Sequence, residues 1–303
     1  MVVDQRMTAT TQLAHAVVPA RLSLERADVP HLMDRWFTAA YSNYTPAVIE
    51  AEGDVYAEWE VFWELARRMG STIPLAGGSV PLDRRPSDDE IIDLVYAEAR
   101  MPIDEMRRHR GVIHDHLALI VEPADDGATA KFTVAPEDLM VELAEVRAEG
   151  VGLDGAYPFR LVSRRMKAVL NSFGTELPGL HAKAGTTNHA YLNPDDMDGL
   201  GVGSGDLVEI VSRRARLVAV AAAAADVRRG MVSIAHGWGD TSLDDVNVRD
   251  IGAPTNRLVS TVDGHDRITG MAVQSAIPVR VGPALIPEEM LKRRSARRPA
   301  ADL

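Results

Sequence analysis

Apolar residues recur along this chain in more than one rhythm. Between Asp54 and Met69, the positions Val55, Trp59, Phe62, Trp63, Ala66 and Met69 lie three or four apart. That is the spacing of one face of an amphipathic helix, and Gly70 is a suitable stop. Ahead of it, Val2-Val3 and His15-Ala16-Val17-Val18-Pro19 are short apolar runs that predict strands, separated by the polar, turn-like stretch Thr8 to Ala14. Leu22 to Asp28 follows with the charged pair Glu25-Arg26. Strands alternating with a helix predict part of a parallel sheet, with too few strands to close a core.

The texture changes after residue 72. Pro81 to Pro86 is a polar link, and Ser87-Asp88-Asp89-Glu90 has the spacing of a capping box, a hydroxyl acceptor followed three residues later by Glu. Ile91, Leu94, Val95 and Ala99 give that helix its apolar face. Pro102 to Arg110 predicts a second short helix, Ile113 to Glu122 and Lys131 to Val134 predict strands, and Pro136 to Arg147 predicts a further helix before Gly150-Val151-Gly152 breaks the pattern.

From residue 157 onward strands dominate: Phe159–Val162, Leu207–Val211, Leu217–Ala225, Met231–Ile234 and Ile277–Val281, separated by Gly, Pro, Asn and Asp clusters. One helix, Pro194 to Leu200, is expected among them, with Pro at its first position, acids in its first turn and Gly at its end. One helix among several short strands fits a small closed barrel. The expected organisation is therefore a partial α/β domain over 1–72, a mixed helical connection over 73–152, a β-rich barrel domain over 153–282 and a tail over 283–303. The tail carries Lys292, Arg293, Arg294, Arg297 and Arg298 and reads as solvated chain.

Composition narrows the function classes. A net charge of −11 argues against general nucleic-acid binding, which needs a basic face. No apolar run approaches the length of a membrane span, and Val218 to Ala225 reads as a buried strand. No basic, apolar leader pattern opens the sequence, so the cytoplasm is the default expectation. The chain has no cysteine, so it cannot give a thiolate to a metal or hold an iron–sulfur cluster.

Several residues could carry chemistry. Ser163-Arg164-Arg165 follows the strand Phe159–Val162, and a loop there could present a hydroxyl, backbone N–H groups and two guanidiniums to a pyrophosphate. Lys167, Asn171 and Ser172 extend that loop, and an exposed charged turn is the alternative. His236-Gly237-Trp238 follows the strand Met231–Ile234. Gly237 would allow close approach of a ligand, while His236 and Trp238 could equally be rim and core residues. Asn256 offers an amide donor and acceptor to a planar ring edge, or is a turn residue. Gly199 to Asp206 precedes a strand and lacks a phosphate-loop pattern, which favours a scaffold turn. His114 and His116 are too few for a metal site, and Asp88-Asp89 and Asp195-Asp196 suit helix N-termini.

Taken in order, Ser163-Arg164-Arg165-Met166, Asn171-Ser172, Asn193-Pro194-Asp195-Asp196, Gly199 to Asp206, His236-Gly237-Trp238, Asn256 and Thr269-Gly270-Met271 resemble the molybdopterin-dinucleotide-binding domain of the formate dehydrogenase, nitrate reductase and DMSO reductase superfamily. Thr8 to Ala20 with Glu25 is similar to a segment lying deep within those enzymes. It departs at His15, where Asp is usual, and at Val18, where Leu is usual. Residues 58–66 resemble the segment that follows.

The resemblance implies an α/β N-terminal remnant joined to a β-rich, six-stranded, double-psi-like barrel. It implies cofactor contacts from Ser163, Arg164, Arg165, Met166, Asn171, Ser172, His236, Gly237, Trp238 and Asn256. The implied cofactor is a bis-molybdopterin guanine dinucleotide, its molybdenum or tungsten held by a larger partner chain. On that expectation the N-terminal region exposes strand edges and apolar surface. The alternatives are a non-catalytic interaction or scaffold protein, or a degenerate fragment keeping the barrel. A stand-alone enzyme of another chemistry ranks last, because no acid–base or nucleophilic set stands out.

Overall fold

The structure, a computed structural model, describes residues 1–30, 38–109, 112–114, 125–148, 155–172, 174, 177–239, 247–262 and 264–285. The chain divides into two compact units, Met1–Ala130 and Lys131–Leu303.

The first unit runs β1 (Val2–Asp4), α1 (Ala9–Gln12), β2 (Val17–Pro19), β3 (Ala40–Ser42), α2 (Glu58–Met69), β4 (Pro74–Leu75), β5 (Gly78–Ser79), α3 (Asp88–Val95), α4 (Ile103–Arg108) and β6 (Val112–His114). β1 and β2 pair in parallel, Val3 opposite Val18, as a two-stranded ribbon. The polar stretch after β1 is a helical turn, not the loose turn expected. Thr8 caps it by accepting from the Thr11 N–H at 3.3 Å.

α2 begins at Glu58, four residues later than its apolar spacing suggests, and ends on Gly70 in the left-handed region at φ 65°. The expected capping box forms on α3: the Glu90 N–H donates to Ser87 Oγ at 3.2 Å, and the Ser87 N–H donates to Glu90 Oε2 at 2.8 Å. The apolar cluster of this unit is small, comprising Ala27, Val29, Tyr44, Ile92, Tyr96, Met101 and Met106. Beside it lies a charged cluster. Buried Glu60 sits 2.6 Å from Arg85 and 3.4 Å from Arg21, and the Trp59 indole donates to Asp88 at 2.8 Å. Phe62, Leu65 and Met69 form an exposed stripe along α2.

The second unit contains α5 (Glu137–Ala148), β7 (Phe159–Arg164), α6 (Pro178–Ala184), β8 (Ala190–Leu192), α7 (Pro194–Leu200), β9 (Leu207–Ser212), β10 (Arg216–Ala223), β11 (Met231–Ala235), α8 (Val248–Ile251) and β12 (Ile277–Pro283). Six of its strands close a mixed barrel in the order β10-β8-β11-β7-β12-β9. Closure leaves no unpaired edge in that ring. Alternation along β9 and β10 sends Val208, Ile210, Leu217, Ala219 and Ala221 into the core, all fully buried, where they meet Leu192, Val232 and Val279.

α7 has the expected bounds and opens on Pro194; Asn193 caps it and Gly201 closes it at φ 68°. The Gly-Asp turn after it is scaffold, with the Gly203 N–H donating to Asp206 at 2.7 Å.

Three expectations need correction. Lys131 to Val134 is not a strand: Phe132 and Val134 are 98% and 91% exposed, and among the described residues no neighbouring strand supplies a ladder. α7 is not the sole helix of this region, because α6 and α8 accompany it. β8 has no counterpart among the expected strands. At three residues it is too short to show a period, and it exists through its pairing with β10 and β11. Within the predicted strand Ile113 to Glu122, residues 113–114 belong to β6. Residues 115–122, with His116, lie outside the described residues, as do Gly150-Val151-Gly152 and residues 286–303 of the tail.

Candidate functional site

Strand directions gather the predicted residues at one end of the barrel. β7 and β11 are parallel, with Ser163 opposite Ile234 and Arg164 opposite Ala235, so both strands end on the same rim. β12 is antiparallel to β7 and begins at that rim, and β9, antiparallel to β12, ends there before its hairpin to β10. The segments after β7 and β11, the hairpin around Arg214 and the approach to β12 therefore converge.

At this rim lies a cavity of about 370 Å³. Its apolar wall includes Leu161, Ile234, Val259 and Ile277, and its polar residues include Ser163, His236, Thr255, Asn256, Arg214 and Gln274. Its volume is within the range of small-molecule sites. Among the described residues no carboxylate lines it. Beside it, the segment 165–171, carrying Arg165 and Lys167, forms an open groove. In a chain of net charge −11, this is a locally cationic corner.

The expected set divides in two. Ser163, His236 and Asn256 line the cavity. Ser163 Oγ lies 3.3 Å from His236 Nδ1, and His236 Nε2 lies 3.4 Å from Asn171 Oδ1. A neutral imidazole protonated on Nε2 satisfies both contacts, accepting from Ser163 and donating to Asn171. Asn171 Oδ1 also accepts from Arg165. Asn171 adopts φ 55°, a left-handed conformation that Asn tolerates better than most residues.

The others are placed differently. Ser163 and Arg164 belong to β7 itself, not to a loop beyond it, and alternation turns them to opposite faces. The Arg164 guanidinium stacks 4.2 Å from the Tyr191 ring centroid, outside the cavity lining. Tyr191 lies in turn 6.0 Å from His189, whose imidazole is held below its ordinary range by burial.

Gly237, at φ 82°, makes a close approach to the chain's own backbone. An added Cβ would sit 2.1 Å from the Asn171 carbonyl oxygen and 2.9 Å from the Ser172 nitrogen. Met166 and Val169 pack on Trp238, which is 5% exposed and whose indole N–H is buried without a hydrogen-bond partner. Ser172 is exposed.

Four residues at this rim carried no readable signal in the sequence. Asn188, fully buried, donates to the Ala235 carbonyl at 2.6 Å and to the Ala253 carbonyl at 2.9 Å, and accepts from the Ala253 N–H at 2.6 Å. It ties the end of β11 to the segment leading to Asn256. Thr255 is 7% exposed, and its hydroxyl is buried without a partner. Arg214 and Gln274 reach the cavity from the β9–β10 hairpin and the approach to β12. Only the closed topology assembles these positions, which are far apart in the chain.

Residues 159–275 match the family model described as the molydopterin dinucleotide binding domain. The chain is 25% identical to the dimethyl sulfoxide/trimethylamine N-oxide reductase of Cereibacter sphaeroides, over 93% of this chain and 38% of that protein. It is 28% identical to a subunit of the tetrathionate reductase of Salmonella typhimurium, over 42% of this chain and 14% of that one. Its fold is similar to that of acetylene hydratase from Pelobacter acetylenicus, with TM-score 0.62 and 21% identity, covering 93% of this chain and 40% of that one. The chain thus spans well under half the length of these relatives.

Proposed function

Because residues 159–275 form a molydopterin dinucleotide binding domain of the molybdopterin oxidoreductase family, we propose that this chain is the cofactor-embracing portion of such an enzyme. It would act together with a larger part that carries the metal ligand. The carrying observation is the cavity at the barrel rim, where Ser163, His236 and Asn256 converge on an apolar wall beside Arg214. These residues suit a guanine dinucleotide form of the cofactor. A flat ring system is accepted by Leu161, Ile234 and Ile277, and its anionic groups by the Arg214 guanidinium, with no carboxylate among the described residues lining the cavity. When bound, the metal-bearing pterin supplies the redox chemistry, and the protein supplies position and electrostatics. The residues of this chain bind and orient: Asn188 holds the rim segments together, and His236 links Ser163 to Asn171.

The need for a complementary part is supported by the first unit. A parallel ribbon of two three-residue strands and the exposed stripe Phe62, Leu65 and Met69 are features that a larger α/β sheet would cover. The cytoplasm is the expected compartment. No helix among the described residues is long and apolar enough to cross a membrane.

A second reading, a scaffold or interaction protein that keeps the barrel and binds no pterin, draws on one observation. Arg164, Arg165, Asn171, Gly237 and His236 are already engaged by the chain's own groups.

Mild affinity purification of the tagged chain from its own cells separates the two. The cofactor reading expects a fluorescent pterin and guanine nucleotide on denaturation, with molybdenum or tungsten and a larger molybdopterin oxidoreductase chain. Recovery of a pterin-free, metal-free chain would favour the scaffold.

A further inference from the structure

α5 is attached to the second unit in an unusual way. A surface helix ordinarily turns its apolar stripe inward and its charges to water. In α5, Leu139, Leu143 and Val146 lie four and three apart on one face and are exposed, and no residue of the helix is buried. Glu142 and Glu145, on another face, are clasped by one side chain from far along the chain. Arg267 Nε donates to Glu142 at 2.8 Å, and Arg267 Nη1 donates to Glu145 at 3.1 Å. A charged clasp thus holds the helix, with no buried apolar face behind it.

Arg267 sits at the tip of a hairpin. His265 bridges to Ala272, and the Val273 N–H donates to the Gly264 carbonyl at 2.8 Å. Inside the turn, the Asp266 carboxylate accepts from the Ile268 N–H at 3.1 Å, the Thr269 N–H at 2.6 Å and the Thr269 hydroxyl at 2.8 Å. These bonds stiffen the hairpin within itself. Its apolar side chains Ile268, Met271 and Val273 nevertheless stay exposed. Its returning arm reaches the rim cavity, where Ala272 and Gln274 form part of the lining together with Thr261. A stiff piece with few buried contacts opens as a unit at low free-energy cost.

We propose that residues 264–274 form a flap on the rim cavity and that the Arg267 clasp to α5 is the catch that keeps it closed. Each exposed ion pair shifts such an equilibrium by no more than about fivefold. Two of them keep the flap mostly shut and leave the open form populated. Opening admits or releases whatever occupant the cavity takes, so the flap goes beyond the cofactor reading and stands or falls separately from it.

The test exploits a chain without cysteine. Thr255→Cys places a single thiol in the cavity, in a buried position, and its rate of reaction with N-ethylmaleimide reads how often the cavity opens. Adding Arg267→Gln should speed labelling about two- to tenfold. Salt at about 1 M should speed labelling of the clasped protein and leave the Arg267→Gln form unchanged. Glu142→Gln with Glu145→Gln should match Arg267→Gln, and all three together should go no faster, because they break one clasp. Amide exchange on the cysteine-free chain should show the same ordering at 264–274 and no change in β9 and β10, and it carries the comparison where Thr255→Cys does not fold. Labelling and exchange of Arg267→Gln within about 1.5-fold of the clasped protein would overturn the flap. So would equally faster exchange in β9 and β10, or additive effects of the Glu and Arg267 changes. Each of these results leaves the cofactor reading standing, since all are read on the chain without ligand.

Discussion

The two units of this chain solve the problem of burying apolar surface in opposite ways. In Lys131–Leu303 the strands close on themselves, and side chains such as Leu192, Val208, Ile210, Leu217, Val232 and Val279 are wholly removed from water. In Met1–Ala130 the sheets are two-stranded ribbons, the apolar cluster is small, and charged side chains do much of the tying. Leu13, Phe62 and Met69 stay 85%, 67% and 74% exposed. A barrel is self-sufficient because every strand finds two neighbours. A fragment of parallel sheet is not, because parallel strands are stable when both faces are covered. The barrel can therefore hold a site of its own, while the first unit offers a surface.

The largest contrast between the units is expected in the barrel core. Ile210→Ala should cost about 2–5 kcal/mol, as large-to-small changes at fully buried sites do, read by denaturant unfolding. Phe62→Ser, on the exposed stripe of α2, should change stability by no more than about 0.5 kcal/mol. Equal losses from the two changes would mean that the stripe is buried in the protein as it exists in solution.

Next in size is Asn188→Ala. It strands the Ala235 and Ala253 carbonyls and the Ala253 N–H in a buried site, a loss of roughly 2–4 kcal/mol in the same unfolding measurement. A loss below about 0.5 kcal/mol would show that Asn188 does not tie the rim together.

Gly237→Ala should cost about 2 kcal/mol or more. The left-handed conformation alone is worth about 1–2 kcal/mol, and its Cβ would fall on the Asn171 carbonyl. The variant should also displace the 165–172 segment, seen as faster amide exchange there. Unchanged exchange would contradict the packing of the two loops.

The smallest effect concerns the charged ties of the first unit. Glu90 is lowered to about 2, first by its hydrogen bond from Arg84 and then by the Ser87 N–H. A carboxyl whose folded value is depressed stabilises fully above its ordinary value of about 4.5 and loses that contribution as pH falls toward 2. Glu90→Gln should therefore melt lower than wild type at pH 7, with the gap closing between pH 4.5 and 2 and shrinking in high salt. A gap independent of pH would assign the capping box no charge component.

Much of this was legible along the chain where the controlling forces are local. Pro194 and the acids after it open α7, Ser87 and Glu90 cap α3, and the apolar runs Leu207–Val211 and Leu217–Ala225 mark β9 and β10. β8 was not legible, because three residues become a strand only when Ala190 and Tyr191 meet Ala221 and Ala222 from β10. The site shows the same division. Ser163, His236 and Asn256 stand in recognisable local settings and do meet at the rim. Thr255, Arg214, Gln274 and Asn188 are ordinary residues in ordinary turns until closure of the barrel brings them together. Ser163-Arg164-Arg165 misled in one respect: the alternation of β7 separates Ser163 from Arg164, which a loop would have held side by side.

Whether the barrel rim is a nucleotide-binding site can be decided by amide hydrogen exchange on the full chain, with and without GDP. Exchange should be slow across β7 to β12 in the free chain, with added protection on GDP at 163–172, 236–239 and 253–261 and none in 1–130. Absence of added protection at that rim, or protection confined to the first unit, would contradict a site built by closure of the barrel.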